Sequence, residues 1–158
     1  MIIAIGKSRR DTKWRNVEMS WPELVERLSH NVVTHETARE YRAMSKDEQG
    51  RVKDIGGFVG GQLSSGHRTN SSVLNRTLVT LDADNATPDT LDDALVCWDG
   101  AMVVYSTHSH TPDNPRLRFV IPLKRAVSVD EYPAVARKLA ARIGIDTMDP
   151  STYEPARL

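Results

Sequence analysis

The segment NRTLVTLDAD, residues 75–84, constrains the fold more than any other part of the chain. A run of apolar and β-branched residues of this length predicts a strand with one face in the core. Because successive side chains of a strand point to opposite faces, Asp82 and Asp84 share one face at its end. The alternate side chains, which are expected to point into the core, are Val79, Leu81 and Ala83.

Two neighbouring carboxylates on one strand face repel each other unless they are solvated, protonated or bridged by a cation. Hard oxygen ligands of this kind suit Mg²⁺ or Mn²⁺, which also hold substrate phosphates. A D-x-D pair alone is weak support for a metal, because many such aspartates belong to turns, and Asp84 and Asn85 also begin a turn. On this reasoning, Asp82→Asn should relieve repulsion and leave the metal-free domain at least as stable.

A predicted hairpin, VVYSTHSHTPDNPRLRFVIPL (residues 103–123), adds polar side chains of another kind. With a five-residue loop at 111–115, each strand presents a polar row on one face, and the two rows lie across from each other if the register holds. The rows are Ser106, His108 and His110 on the first strand, and Arg116 and Arg118 on the second. Arginines beside imidazoles bring fixed and potential positive charges close together, and an anion between them would offset that charge. A triphosphate fits, because Arg binds it as a fork and neutral His adds one hydrogen bond.

A third carboxylate is expected, because two carboxylates rarely fix two metal ions. The candidates that follow the last predicted helix are Asp146 and Asp149. Asp149 is preferred, since it directly precedes a proline and therefore has an extended backbone. Asp146 is interpreted as a helix-end or turn residue.

The rest of the chain alternates strands and helices. Two N-terminal strands joined by a basic turn are expected, and capping boxes begin three segments, of which the second is polar enough to be a surface excursion. The boxes are Ser20 to Glu23, Ser45 to Glu48 and Ser128 to Glu131. A short strand at 58–63 precedes a Ser/Gly-rich loop with His67 and Arg68, which is either a mobile connection or a close approach to a nucleotide or template. The pattern predicts an α+β fold: a mixed or antiparallel sheet with helices packed on one face.

Charge is balanced overall, with 21 Lys plus Arg and 21 Asp plus Glu, but it is unevenly distributed. No Lys or Arg lies between Arg76 and Arg116, whereas the N-terminal stretch GKSRRDTKWR is basic. This asymmetry is compatible with a metal centre flanked by phosphate-binding arms. The single cysteine, Cys97, excludes a disulfide framework and a zinc cluster, and it is expected in the core. No apolar run is long enough to span a membrane, so a cytoplasmic protein with no membrane partner is expected.

The order of these motifs resembles that of the archaeo-eukaryotic primase superfamily: D-x-D at a strand end, S-x-H on a later strand, and a single Asp after a helix. The closer resemblance is to primase-polymerase domains of phage, prophage and plasmid replication proteins of the virulence-associated-E-like type. Three phrases carry it: FVGGQLSSGHRTNSSVLNRTLVTLDAD, VVYSTHSHTPDNPRLRFVIPL and DPSTYEPARL. They cover roughly residues 58–158, whereas residues 1–55 match poorly.

The resemblance implies a single DNA primase-polymerase domain with a core related to RNA-recognition folds. It implies template-directed nucleotidyl transfer, in which two Mg²⁺ or Mn²⁺ ions assemble a nucleoside triphosphate and a 3′-hydroxyl on single-stranded DNA. Carried over by position, the metal ligands are Asp82, Asp84 and Asp149. Such domains usually continue into a helicase. Here the chain stops at YEPARL, so it is either trimmed before that region or a stand-alone remnant.

The same resemblance gives Ser106 and His108 the S-x-H role of contacting the triphosphate. His110, Arg116 and Arg118 have no such counterpart and are placed there by geometry alone. Preference for ribo- or deoxyribonucleotides stays open.

Two other functions stay open. The HSH triplet resembles the metal motif of rolling-circle or relaxase-type endonucleases, although Ser109 is not hydrophobic. Its nucleophile would be Tyr41, Tyr132 or Tyr153, of which Tyr132 is expected in the core. The other alternative is a nonenzymatic nucleic-acid-binding module. The scarcity of aromatic residues argues against base stacking on a sheet.

Overall fold

The computed structural model describes residues 1–158, which form seven strands and five α-helices. The strands are β1 (Ile2–Gly6), β2 (Arg15–Glu18), β3 (Gly57–Val59), β4 (Gly61–Leu63), β5 (Val73–Ala83), β6 (Val103–Ser106) and β7 (Leu117–Val127). The helices are α1 (Trp21–Ser29), α2 (Ala38–Ala43), α3 (Lys46–Val52), α4 (Thr90–Cys97) and α5 (Tyr132–Ile143). None of these helices is long and apolar enough to cross a membrane.

The strands form two antiparallel sheets, in the orders β2-β1-β3 and β4-β5-β7-β6. One face of the four-stranded sheet, with Leu81 and Phe119, packs against α4 and α5. The other face, with Leu78 and Val120, packs against Ile3 of the three-stranded sheet. The α+β prediction with antiparallel strands is therefore confirmed. Helices α4 and α5 cover one face of the four-stranded sheet, and the N-terminal sheet together with Leu24 of α1 packs on the other.

The predicted short strand at 58–63 is divided between the two sheets. β3 pairs with β1, and β4 pairs with β5. Where the chain passes from β3 to β4, the carbonyl of Gly60 accepts hydrogen bonds from the N–H groups of Thr77 and Leu78. A Cβ atom on Gly61 would lie 1.9 Å from the carbonyl oxygen of Asn75, so only glycine permits this approach. Gly60 and Gly61 thus let the backbone approach the neighbouring strand β5 closely.

Capping explains where the N-terminal helices begin. All three predicted boxes, at Ser20, Ser45 and Ser128, form their hydrogen bonds, although α5 begins only at Tyr132, after the box of Ser128 and Glu131. Helix α3 shows that the polar segment after Ser45 is helical. A further box, from Thr37 to Glu40, begins α2. Each box places a carboxylate at a helix N-terminus, where it accepts a hydrogen bond from the free N–H of the capping residue and offsets the helix dipole.

The C-terminal segment 145–158 lies along the free edge of β5, the part of this strand around Thr80 and Asp82 that β4 leaves unpaired. The N–H of Asp149 donates to the carbonyl of Asp82 over 2.8 Å. The hydroxyl of Thr152 donates to the carbonyl of Thr80 over 2.8 Å and accepts from the N–H of Asp82 over 3.0 Å. Thr152 is fully buried. These bonds place Asp149 beside Asp82 although their positions in the chain differ by 67.

A buried cation holds this segment in place. Arg76 is completely buried and has no carboxylate partner. Its guanidinium donates to the carbonyl of Pro155 and to the hydroxyl of Thr80, and its central carbon lies 4.2 Å from the centre of the Tyr132 ring. Burial lowers the pKa of Arg76, while the nearby Tyr132 opposes that change. The hydrogen bonds and the aromatic face therefore replace water around this charge.

Arg76→Met should destabilise the domain by about 1–3 kcal/mol, because Pro155 and Thr80 lose a buried donor. It should also loosen residues 149–158, which urea unfolding combined with amide hydrogen exchange would detect. The matched control is Arg125→Met, which removes an exposed arginine paired with Glu131 and should leave the free energy of unfolding nearly unchanged. Unchanged exchange in 149–158 would mean that Arg76 does not hold this segment.

Candidate functional site

Three carboxylates and three guanidinium groups lie together at the end of β5. We call this group the Asp82 cluster, and its members are Asp82, Asp84, Asp149, Arg116, Arg118 and Arg157. The strand register explains how the centre forms. Asp82 on β5 lies directly opposite Arg118 on β7, and Arg118 lies opposite Tyr105 on β6. The three side chains therefore form a row across three adjacent strands on one face of the sheet.

Asp82 is the buried centre of the cluster, with 6% of its side chain exposed. Arg118 binds it as a fork, with Nε on Oδ1 and Nη2 on Oδ2, the latter over 3.1 Å. Burial alone would lower the pKa of Arg118, but the charge of Asp82 outweighs it and raises that pKa above its ordinary value. Burial also raises the pKa of the neighbouring Tyr105. Arg118 thus remains a fixed cation.

Arg157 bridges two of the predicted acids. Its Nη2 atom lies 3.0 Å from Oδ2 of Asp82 and 2.9 Å from Oδ2 of Asp149. Burial alone would raise the pKa of Asp149, but hydrogen bonds from the hydroxyl and N–H of Ser151 and the charge of Arg157 lower it. A single cationic nitrogen therefore occupies the space between two carboxylates that were predicted to share a metal ion.

Asp84 lies at the exposed margin of the cluster, where Oδ1 is 3.2 Å from Nη1 of Arg116 and 47% of the side chain is exposed. The predicted alternation is confirmed: Val79, Leu81 and Ala83 lie in the core with α4 and α5. The expected repulsion between Asp82 and Asp84 is wrong in this structure, because each carboxylate has its own arginine.

The predicted polar row on β6 does not form. The strand ends at Ser106, so His108 and His110 lie in the following turn, where the N–H of His110 donates to the carbonyl of Thr107. Ser106 lies opposite Leu117, which belongs to the core beneath α4 and α5. Ser106 is therefore on the face opposite to Arg118, and the expectation that these polar residues share one face is wrong.

The two histidines have different partners. Nε2 of His108 lies 3.1 Å from Oε1 of Glu36, and its ring centre lies 4.4 Å from that of Tyr41. His110 accepts a hydrogen bond through Nδ1 from the N–H of Arg116 over 3.2 Å. His108 thus joins the hairpin turn to the N-terminal segment, and His110 orients the backbone of a cluster arginine. A role for either in binding triphosphate stays a prediction.

The cluster meets only part of what a metal site requires. No three His, Cys, Asp or Glu side chains lie close enough together to hold a metal ion. The pair Asp82 and Asp149 does fit, because both offer hard oxygens around one position that a cation already fills. Asp84 lies apart, paired with Arg116. Asp146 is exposed in the 3₁₀ turn Ile145–Thr147, in agreement with its interpretation as a turn residue.

Sequence reasoning did not identify Arg157. The phrase DPSTYEPARL contains it, but its partner Asp82 lies 75 residues earlier, so no local spacing links them. The loop residue Arg68, for which two interpretations were open, donates to the carbonyls of Ala156 and Arg9 and so ties the C-terminal segment to the basic N-terminal turn. Cys97, expected in the core, is exposed.

Comparison with known proteins identifies the family. The sequence profile described as the VapE N-terminal domain matches residues 1–158, so the chain belongs to this family. The match supports the expected relationship to virulence-associated-E-like replication proteins of phages and plasmids. No curated protein and no solved structure matches the chain.

Asp82→Asn should destabilise the domain by about 2–4 kcal/mol, because Arg118 and Arg157 would lose a buried counter-charge. This sign is opposite to the one that sequence reasoning gives. Asp84→Asn is the matched control and should cost about 0–1 kcal/mol, since its pair is exposed. Urea unfolding in a chelator measures both, and an Asp82→Asn domain as stable as wild type would refute the role assigned to its ion pairs.

Proposed function

We propose that this domain is the primase-polymerase catalytic domain of a phage or plasmid replication protein. It binds a nucleoside triphosphate at the Asp82 cluster and transfers nucleotides to a 3′-hydroxyl on a single-stranded DNA template. This makes it a DNA-directed nucleotidyltransferase of the archaeo-eukaryotic primase type. The proposal goes further than membership in the VapE N-terminal domain family, which the profile match establishes.

One observation carries the proposal: the guanidinium groups of Arg118 and Arg157 alternate with the carboxylates of Asp82 and Asp149 in one chain of ion pairs, and a separate pair, Asp84 with Arg116, follows two residues further along the same two segments. A metal–triphosphate complex has the same alternation of cation and anion. The ligand can therefore exchange partners with the cluster, with carboxylates turning to the metal and guanidinium groups to the phosphates. Both sets of charges stay compensated before and after binding, so neither state leaves a buried charge unpaired.

Mg²⁺ commonly binds through one or two carboxylates together with substrate phosphates, and Asp82 with Asp149 suits that mode. When bound, the ion supplies activation of the 3′-hydroxyl and neutralises charge on the leaving pyrophosphate. A second ion, as the family resemblance implies, would take Asp84. The protein contributes the fixed position of Asp82, whose backbone is bonded to Asp149 and Thr152.

The arginines have distinct roles in this proposal. Arg118 lies deeper and is held by its cross-strand position, so it orients the polyphosphate as a planar fork. Arg157 is more exposed and comes from the C-terminal segment, so it can leave Asp149 when the ligand binds. Both remain charged and offset the charge that develops on the transferring phosphoryl group.

The chain topology also supports the proposal. β5, α4, β6, β7 and α5 follow one another, β7 lies between β5 and β6, and both helices pack on one face. This is the arrangement expected of the RNA-recognition-type core that the resemblance implies. The Asp82 cluster lies on the face away from α4 and α5, at the end of its central strands.

Arg118→Lys tests the nucleotide site without removing its charge. Lysine cannot reproduce the fork, so affinity for a manganese–triphosphate complex should fall about 10- to 100-fold, equivalent to about 1.5–3 kcal/mol. Arg125→Lys, the control, changes an exposed arginine paired with Glu131 and should leave affinity unchanged. Titration calorimetry gives affinities, and template-dependent pyrophosphate release gives activity.

Asp149→Ala complements this test. Because Asp149 is one of the proposed metal ligands, its loss should abolish pyrophosphate release. Because its side chain is a quarter exposed, thermal unfolding should stay cooperative. Wild-type protein that binds DNA but releases no pyrophosphate with any template would overturn the enzymatic proposal in favour of a binding module. A covalent DNA adduct, with Tyr41 beside His108 as the first residue to test, would favour the endonuclease.

A further inference from the structure

A groove of about 600 Å³ opens in the N-terminal part of the fold, between the β1–β2 hairpin and α1. Four cationic side chains line it: Lys7, Lys13, Arg15 and Arg27. They come from the turn after β1, from β2 and from α1. Three parts of the structure thus direct like charges to one concave surface, which favours an anionic ligand.

These four cations have no carboxylate partner within ion-pair distance, whereas the arginines of the Asp82 cluster all do. The one acid in the groove, Asp11, accepts hydrogen bonds from the backbone N–H groups of Lys7 and Lys13 over 3.0 and 2.8 Å. These two bonds lower the pKa of Asp11. Its carboxylate therefore shapes the turn rather than pairing with the side chains.

Other N-terminal acids are occupied in the same way. Glu23, Glu40 and Glu48 close capping boxes, and Asp54 accepts from the hydroxyl of Ser8 and the N–H of Arg9. These four acids are bound to backbone and hydroxyl donors, so they do not pair with the basic side chains of the groove. This division explains how a chain of zero net charge has a cationic groove.

The groove is connected to the Asp82 cluster. Arg68 donates to the carbonyl of Arg9, in the basic turn, over 3.1 Å and to the carbonyl of Ala156 over 2.8 Å. The next residue, Arg157, is the bridge between Asp82 and Asp149. Two hydrogen bonds of Arg68 therefore link the turn that carries Lys7 and Lys13 to the segment that carries Arg157.

The lining also indicates how such an anion is recognised. Besides the charged residues, Ile5 and Ile55 contribute apolar surface, and no aromatic side chain lines the groove. Phosphates can pair with the cations and sugars can contact the isoleucines, but bases have no ring on which to stack. We propose that this basic groove binds the sugar-phosphate backbone of a single nucleic-acid strand, without base preference. The proposal goes beyond the proposed nucleotidyl transfer and requires phosphate binding only.

The test compares two double variants that each remove two lysine charges. Lys7→Gln with Lys13→Gln changes the groove and keeps the backbone bonds to Asp11, whereas Lys124→Gln with Lys138→Gln changes β7 and α5, outside the groove lining. Fluorescence anisotropy with oligothymidylate and oligoadenylate, measured across a salt series, gives affinity and its salt slope. Both proteins keep the Asp82 cluster intact.

The groove variant should bind both oligonucleotides about 10- to 30-fold more weakly at 0.1 M salt, with a salt slope smaller by about 1.4, because each lost single-strand phosphate contact changes the slope by about 0.7. The control variant should match wild type. Equal losses in both variants would overturn the assignment to this groove. Tighter binding to duplex, a clear base preference, or stronger binding to polyglutamate would overturn the assignment to a single-strand backbone. If the wild-type protein binds oligonucleotides through the groove but transfers no nucleotide, the proposed enzymatic function is overturned and the proposed strand-binding groove is not.

Discussion

The buried carboxylate of Asp82 is the constraint on which the arrangement of this domain depends. A charge with 6% of its side chain exposed must be compensated, and Arg118 and Arg157 do so from two directions. Arg118 is supplied by the register between β5 and β7. Arg157 is supplied by the C-terminal segment, which follows the free edge of β5 and is held there by the fully buried Arg76. The path of residues 145–158 and the charge compensation of Asp82 therefore depend on each other.

This pairing of carboxylates with arginines suits the function that we propose. A site that holds carboxylates close together before its ligand arrives must prevent them from repelling one another, and guanidinium groups are cations that the protein itself can provide. The same groups are good partners for phosphate, so binding a metal–triphosphate complex would redistribute ion pairs without creating unpaired charge. The N-terminal part of the chain follows a different pattern: several of its acids are used in helix caps and turns, and four of its cations line a groove.

Much of the fold follows from local patterns in the sequence. The alternation in residues 75–84 correctly predicts which side chains enter the core, because a period of two is fixed by strand geometry. Capping boxes locate the starts of the helices, since they depend on residues three apart. Asp149 lies beside Asp82, whereas Asp146 is exposed in a turn, and the role of Asp149 as a metal ligand stays a prediction.

The parts that sequence reasoning missed depend on distant contacts. The end of β6 at Ser106 is set by a turn whose residues also alternate plausibly as a strand, so the face of His108 was predicted wrongly. The sign of the Asp82→Asn effect was wrong for a related reason. Neighbouring residues suggested repulsion, whereas the compensating Arg118 and Arg157 lie 36 and 75 residues away along the chain.

The central claim is that Arg157 occupies the position that a ligand-bound cation takes between Asp82 and Asp149. Arg157→Gln separates the two sides of this claim, because it removes a competitor for the metal and a partner for the phosphates. Manganese affinity measured by electron paramagnetic resonance without nucleotide should rise relative to wild type, whereas affinity for the manganese–triphosphate complex should fall. If manganese affinity is unchanged or lower in Arg157→Gln, the guanidinium does not stand in for a cation and the account is wrong.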